Sequence, residues 1–129
     1  MFRLATLTLG AAIVAFLPAT HALCSNPAAI GVVYGAQAQN TGGVGQLTLY
    51  SGSIVTNDCT IISSNGQTQN SNQWCNGDYD NGYSVDCQGG SSPAVVTDGN
   101  GVTYDCNEDA DDSCDLVGFN VGPCCNPRQ

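Results

Sequence analysis

Basic side chains are almost absent from this sequence. Its 129 residues carry two, Arg3 and Arg128, against eleven acidic ones. Lysine does not occur, and Met1, His21 and Trp74 are each the only residue of their kind. Residues 1–22 read as a secretory signal peptide. Arg3 gives a short positive start, Leu4–Leu17 an apolar run, and Thr20-His21-Ala22 a small-residue cleavage site. The run is too short to span a bilayer, so no membrane insertion is expected. Cleavage after Ala22 leaves residues 23–129 as a single domain with no His, Lys or Met. Losing Arg3 takes the formal charge from −9 to −10.

Each absence excludes a chemistry. Without imidazole, Ser-His-Asp and Cys-His nucleophilic catalysis are out, and so are histidine-containing zinc sites. Without lysine there is no Schiff-base chemistry. A surface this negative repels phosphate backbones, so no nucleic-acid partner is expected, and it is equally unsuited to anionic membranes. No stretch sustains a 3.6-residue apolar period, which excludes long helices.

What is present is cysteine. Cys24, Cys59, Cys75, Cys87, Cys106, Cys114, Cys124 and Cys125 all follow the cleavage site. An even number in a small secreted chain reads as a disulfide framework of four bridges. Eight cysteines allow about a hundred pairings, and spacing does not choose among them. A bridge needs suitably oriented Cα atoms, so Cys124 and Cys125 should staple the C-terminal tail to two different places. A thiolate metal site would want matched C-x2-C pairs, which are missing, and no metal or cofactor is expected.

The remaining pattern is that of short strands and turns. Ala29–Gln37 reads as a strand. Gln46–Tyr50 and Ser53–Thr56 read as a hairpin about Ser51-Gly52. Ala94–Thr97 and Val102–Asp105 flank Asp98-Gly99-Asn100-Gly101, the clearest hairpin turn. Asn81-Gly82-Tyr83-Ser84-Val85-Asp86-Cys87 is echoed by Asn100-Gly101-Val102-Thr103-Tyr104-Asp105-Cys106. Ile54–Cys59 also ends in Asp-Cys, so one device is reused: a turn, a strand, then a pinning cysteine. Asn65–Asn76 is almost wholly polar and reads as a surface loop tied down by Cys75. The expected fold is mainly β, a small disulfide-stapled antiparallel sandwich or barrel of about five to seven strands.

Three groups of residues are candidate sites. Asp78 and Asp80, in Asn76–Gly82, offer oxygens at alternate positions as a calcium loop does, and Asp109 and Asp111 lie in the acidic run Asn107–Asp115. Against calcium, the glycine of the first loop falls one residue late, and Cys87 stands where an EF-hand has glutamate. Paired carboxylates could serve a small glycoside hydrolase, but eleven acids make some pair inevitable. Trp74, Tyr79 and Tyr83 are candidate partner-binding residues. Exposed, they would anchor a partner or a sugar. Buried, Trp74 would pack against a disulfide, and the tyrosines would fill a core short of Phe and Leu.

A signal peptide, about a hundred mature residues and eight cysteines resemble the small secreted cysteine-rich proteins of fungi. Many of those act as effectors or elicitors at a plant or animal host. Hydrophobins share the cysteine count but carry two Cys-Cys doublets. Here only Cys124-Cys125 is a doublet, so that pattern is not met. The resemblance implies a non-enzymatic extracellular protein that docks, as a monomer, on a host protein or a cell-wall component and modulates or triggers host defence. The alternatives are a structural cell-wall or surface protein of the producer, and the small carboxylate-dependent hydrolase.

Overall fold

A computed structural model of the chain describes residues 22–129 apart from 41, 44, 77, 111–113 and 115–118. Residues 1–21 of the signal segment and Asp111 lie outside the described residues. Among the described residues seven strands form: β1 (Ile30–Asn40), β2 (Gln46–Val55), β3 (Ile61–Thr68), β4 (Ser84–Asp86), β5 (Val95–Thr97), β6 (Thr103–Asp109) and β7 (Phe119–Pro127). They make one antiparallel sheet in the order β3-β2-β1-β7-β6-β5-β4, curled into a half-barrel. Two three-stranded meanders, β1-β2-β3 and β4-β5-β6, are thus joined by the last strand inserting between β1 and β6. The expectation of a mainly β, disulfide-stapled antiparallel fold holds, with the sheet curled half-way to a barrel.

Strand alternation decides how the core is built. Side chains of a strand point to opposite faces in turn. Val32, Ile54, Val85, Val96 and Cys125 share one face, here the first, while Val33, Val55 and Cys124 share the second. Both faces are covered. Trp74, Cys75, Tyr79 and Tyr83 pack over the first, with short 3₁₀ turns at Gln73–Cys75 and Asp80–Gly82. The segment Leu23–Ala29, with Cys59, Cys114 and Phe119, covers the second. Val32, Val33, Ile54, Val55 and Val96 are fully buried. Each contributes about 1.5–3 kcal/mol, so a bridge at about 2–4 kcal/mol weighs as much as a core side chain.

All eight cysteines pair: Cys24–Cys124, Cys59–Cys114, Cys75–Cys87 and Cys106–Cys125. Neighbouring Cys124 and Cys125 point to opposite faces of β7, so each reaches a different partner. Two bridges lie on each face, Cys75–Cys87 and Cys106–Cys125 on the first, the other two on the second.

The echoed units prove to be one device used in register. β4 and β6 flank β5, with Ser84 and Thr103 both paired to Thr97, Val85 and Tyr104 to Val96, and Asp86 and Asp105 to Val95. Asp86 accepts from the Gln88 N–H at 2.7 Å, wrapping the turn around Cys87. Asp58 does the same around Cys59, accepting from the Thr60 N–H at 3.4 Å. Cys106 sits inside a strand, so Asp105 needs no turn and instead takes Arg128 as a two-point partner, at 2.6 and 3.1 Å. The lone arginine past the signal segment is thereby spent inside the protein.

The β5–β6 hairpin forms as expected. Asp98 Oδ1 accepts from the Asn100 and Val102 N–H groups, each at 2.9 Å, and Gly101 takes φ +83°. Ser51-Gly52 corrects the sequence reading: it is no turn, and β2 runs unbroken through it. β1 and β2 are instead adjacent antiparallel strands, with Asn40 paired to Gln46 at their ends.

Candidate functional site: an uncharged aromatic groove

Gly52 is a glycine because something lies on top of it. A Cβ there would meet Trp74 Cα at 2.6 Å, Trp74 Cβ at 2.9 Å, and the Tyr79 hydroxyl. A Cβ on Gly122, in β7, would meet the Trp74 ring at 2.5 Å. Glycine in a strand interior often marks such a close approach rather than a bend. The two glycines and Tyr34, on the strand between them, form the seat of Trp74. The Tyr34 and Trp74 rings meet edge to face, 4.9 Å apart at 61°.

The polar loop that delivers Trp74 is held by its own amides. The β2–β3 register shifts between Ser51 and Ser53. The Gly52 N–H is satisfied by the Asn65 side chain, which accepts at 2.7 Å and donates to the Gln73 carbonyl at 2.5 Å and the Asn76 carbonyl at 3.2 Å. Buried Gln73 returns a bond to the Asn65 carbonyl at 3.2 Å and accepts from the Thr68 hydroxyl at 2.6 Å. Buried amides need partners, and this network supplies them. Asn65–Asn76 is therefore the end of β3 plus a mostly exposed loop, tied down by the Cys75–Cys87 bridge as expected and pinned further by these amides.

Tyr50 stands diagonally from Tyr34 on the same face, since Ala36 pairs with Tyr50 and Tyr34 with Gly52. Tyr34, Tyr50 and Trp74, with Ser71, Asn72 and Ser91 at the rim, line a groove of about 320 Å³. The indole N–H donates to the Ser91 carbonyl at 3.0 Å, which fixes the ring. The Cys75–Cys87 bridge ties the loop bearing Ser71 and Asn72 to the start of the loop bearing Ser91, so both rims are anchored. None of the six lining residues is charged. Among the described residues, the side-chain hydroxyls of Tyr34, Tyr50, Ser71 and Ser91 and the Asn72 amide have no hydrogen-bond partner in the protein. A second depression of about 470 Å³, at the β2–β3 turn, is wider and lined by Pro27, Thr56, Asn57, Asp58 and Thr60 without any aromatic ring.

The sequence candidates divide. Trp74 is half-buried, packed on glycines and Tyr34, with part of its surface in the groove. Tyr79 is a correction as a partner-binding residue: it is 5% exposed, in the first-face core. Its hydroxyl donates to the Trp74 carbonyl at 2.8 Å, and burial pushes its phenol well above the usual tyrosine range. Tyr83 and Tyr104 are partly buried against the same core. Burial first, then nearby Asp98 and Tyr83, raise the Tyr104 phenol.

Asp78, Asp80 and Asp109 are exposed, and among the described residues no three acidic, histidine or cysteine side chains gather as a metal cluster. Asp78 and Asp80 flank Tyr79, whose inward side chain turns the loop's centre toward the core. The carboxyls of Asp58 and Asp105 move the wrong way for a general acid. Hydrogen bonds from Thr56 and Thr60 lower Asp58, and the Arg128 guanidinium lowers Asp105. Tyr34, Tyr50, Asn65 and Gln73 were not singled out by sequence reasoning. The signal that could have found them is Gly52, a glycine inside a strand pattern.

Against known proteins, no family description, curated protein or solved structure matches the chain. No helix among the described residues is long and apolar enough to cross a membrane.

Proposed function

We propose that this chain is a secreted, effector-like binding module. It works outside the producing cell by docking on a host protein or cell-wall component, without a catalytic step, and so modulates or triggers host defence. The observation that carries this reading is the uncharged aromatic groove with rims fixed by a disulfide. Rigid aromatic anchors with unspent hydrogen-bonding groups around them are what a recognition site needs. Four disulfides suit an oxidising extracellular setting. The absence of His and Lys after residue 22 leaves few catalytic options.

The test is retention from host extracellular fluid and on host cell-wall material, comparing the disulfide-intact protein with Tyr50→Ala. Among the described residues, Tyr50 is the groove aromatic with neither a side-chain hydrogen bond nor a ring contact within the protein, whereas the Tyr34 and Trp74 rings pack on each other and the indole is hydrogen-bonded. Retention that falls with this variant supports the reading, and equal retention of both proteins counts against it. Accumulation of a tagged protein on the producer's own wall would favour the structural alternative.

A further inference from the structure

We propose that the Tyr34–Tyr50–Trp74 groove is a subsite for a neutral oligosaccharide. This rests on the binding-module reading and names its ligand class. Three features of the groove converge on a sugar. Aromatic faces meet the C–H face of a pyranose through dispersion and weak C–H contacts. The two phenol hydroxyls, the Asn72 amide and the Ser71 and Ser91 hydroxyls offer neutral donors and acceptors with no partner in the protein. These suit the alternating hydroxyls of a sugar ring. The volume, about 320 Å³, lies at the small end of ligand clefts and fits a short sugar segment rather than a protein surface.

Charge then selects among sugars. The lining carries no charge, while residues 23–129 carry eleven acids and one arginine, and that arginine is occupied by Asp105. Nothing in the groove neutralises an anionic glycan, and the protein's field repels one. No charged side chain lines the groove to pair with the charged groups of a peptide.

Trp74 is the only tryptophan in the chain, so tryptophan emission comes from a ring that lines the groove. The disulfide-intact protein is titrated with cellohexaose, laminarihexaose and chitohexaose, and with hexagalacturonate as the charged control. The expected result is a saturable change in Trp74 emission with at least one neutral hexamer, insensitive to salt, and none with the galacturonate. Tyr50→Ala should weaken that binding about tenfold or more while leaving the circular dichroism unchanged. Trp74→Phe, followed by calorimetry, checks the ring without the fluorescence readout and should retain weaker binding. Silence with every neutral hexamer, tighter binding of the galacturonate, or equal binding by Tyr50→Ala overturns the proposal. If the hexamers are silent while Tyr50→Ala still loses retention on a host protein, the sugar assignment fails and the docking reading stands. If Tyr50→Ala changes neither, both fail.

Discussion

The two faces of the sheet are sealed by different means. On the second face, a short apolar segment does the covering. Leu23 lies over Gly31, and bridges join Cys24 to Cys124 and Cys59 to Cys114 across 100 and 55 residues of sequence. On the first face, a polar loop delivers Trp74 and Tyr79 onto Gly52 and Gly122, and its bridges close only 12 and 19 residues. The second face uses long-range crosslinks to hold chain ends together. The first uses local crosslinks and amide hydrogen bonds to position aromatic rings. The four bridges thus serve two purposes: Cys75–Cys87 fixes the groove rims, and the other three hold strands and chain segments together.

The largest effect expected from breaking this arrangement is on the second face. Cys24→Ser with Cys124→Ser opens a loop of 100 residues. By chain entropy this should lower stability by about 4–5 kcal/mol, against about 3 for Cys75→Ser with Cys87→Ser. Urea unfolding of both pairs measures the order. The second pair should also loosen the groove rims and alter Trp74 emission, which the first leaves alone.

Overpacking comes next. Gly52→Ala presses on Trp74 and Gly31→Ala presses on Leu23, each lowering stability by about 1–3 kcal/mol. Only the first should shift Trp74 emission, so the pair separates the two faces by spectrum. If both shift it equally, the faces are not independent.

Tyr79→Phe removes the donor to the Trp74 carbonyl and should lower stability by about 1–2 kcal/mol near neutrality. The same residue predicts an alkaline limit. Its folded-state phenol is raised above its unfolded value of 10.0. Its stabilising share is therefore full below that value and lost as pH rises above it, because only the unfolded chain deprotonates. Rapid unfolding measurements on either side of that pH should show the decline in the wild type and less of it in Tyr79→Phe.

Asp105→Asn should have the smallest effect. Its ion pair with Arg128 is exposed and screened by salt. The Asp105 carboxyl is lowered from 3.8, so its contribution is present above that value and fades as pH falls through the folded one. A midpoint change in low salt that vanishes in high salt is the expected signature.

How much of this was legible in the sequence depended on whether the signal was local. The Asp98–Gly101 turn, the Asp-Cys units and the divergence of Cys124 and Cys125 each follow from a few adjacent residues, and the sequence reading has them. Ser51-Gly52 reads as a turn because glycine serves both turns and close approaches, and only a residue 22 positions away, Trp74, tells them apart. Tyr34 and Tyr50 looked like ordinary strand residues until the β1–β2 register put them on one face. Asn65 and Gln73 were invisible for the same reason, inside a stretch whose composition says only that it is polar. Tyr79, flanked by acids, looks like a surface residue, and its burial depends on the fit over Gly52.

On the proposed reading, one face of this molecule docks and the other only holds. The most direct measurement compares Tyr50→Ala, in the first-face groove, with Asp58→Asn, in the wider depression at the β2–β3 turn, for retention on host cell-wall material and host extracellular proteins. The account predicts that Tyr50→Ala loses retention while Asp58→Asn keeps it. Loss with Asp58→Asn and none with Tyr50→Ala would contradict it.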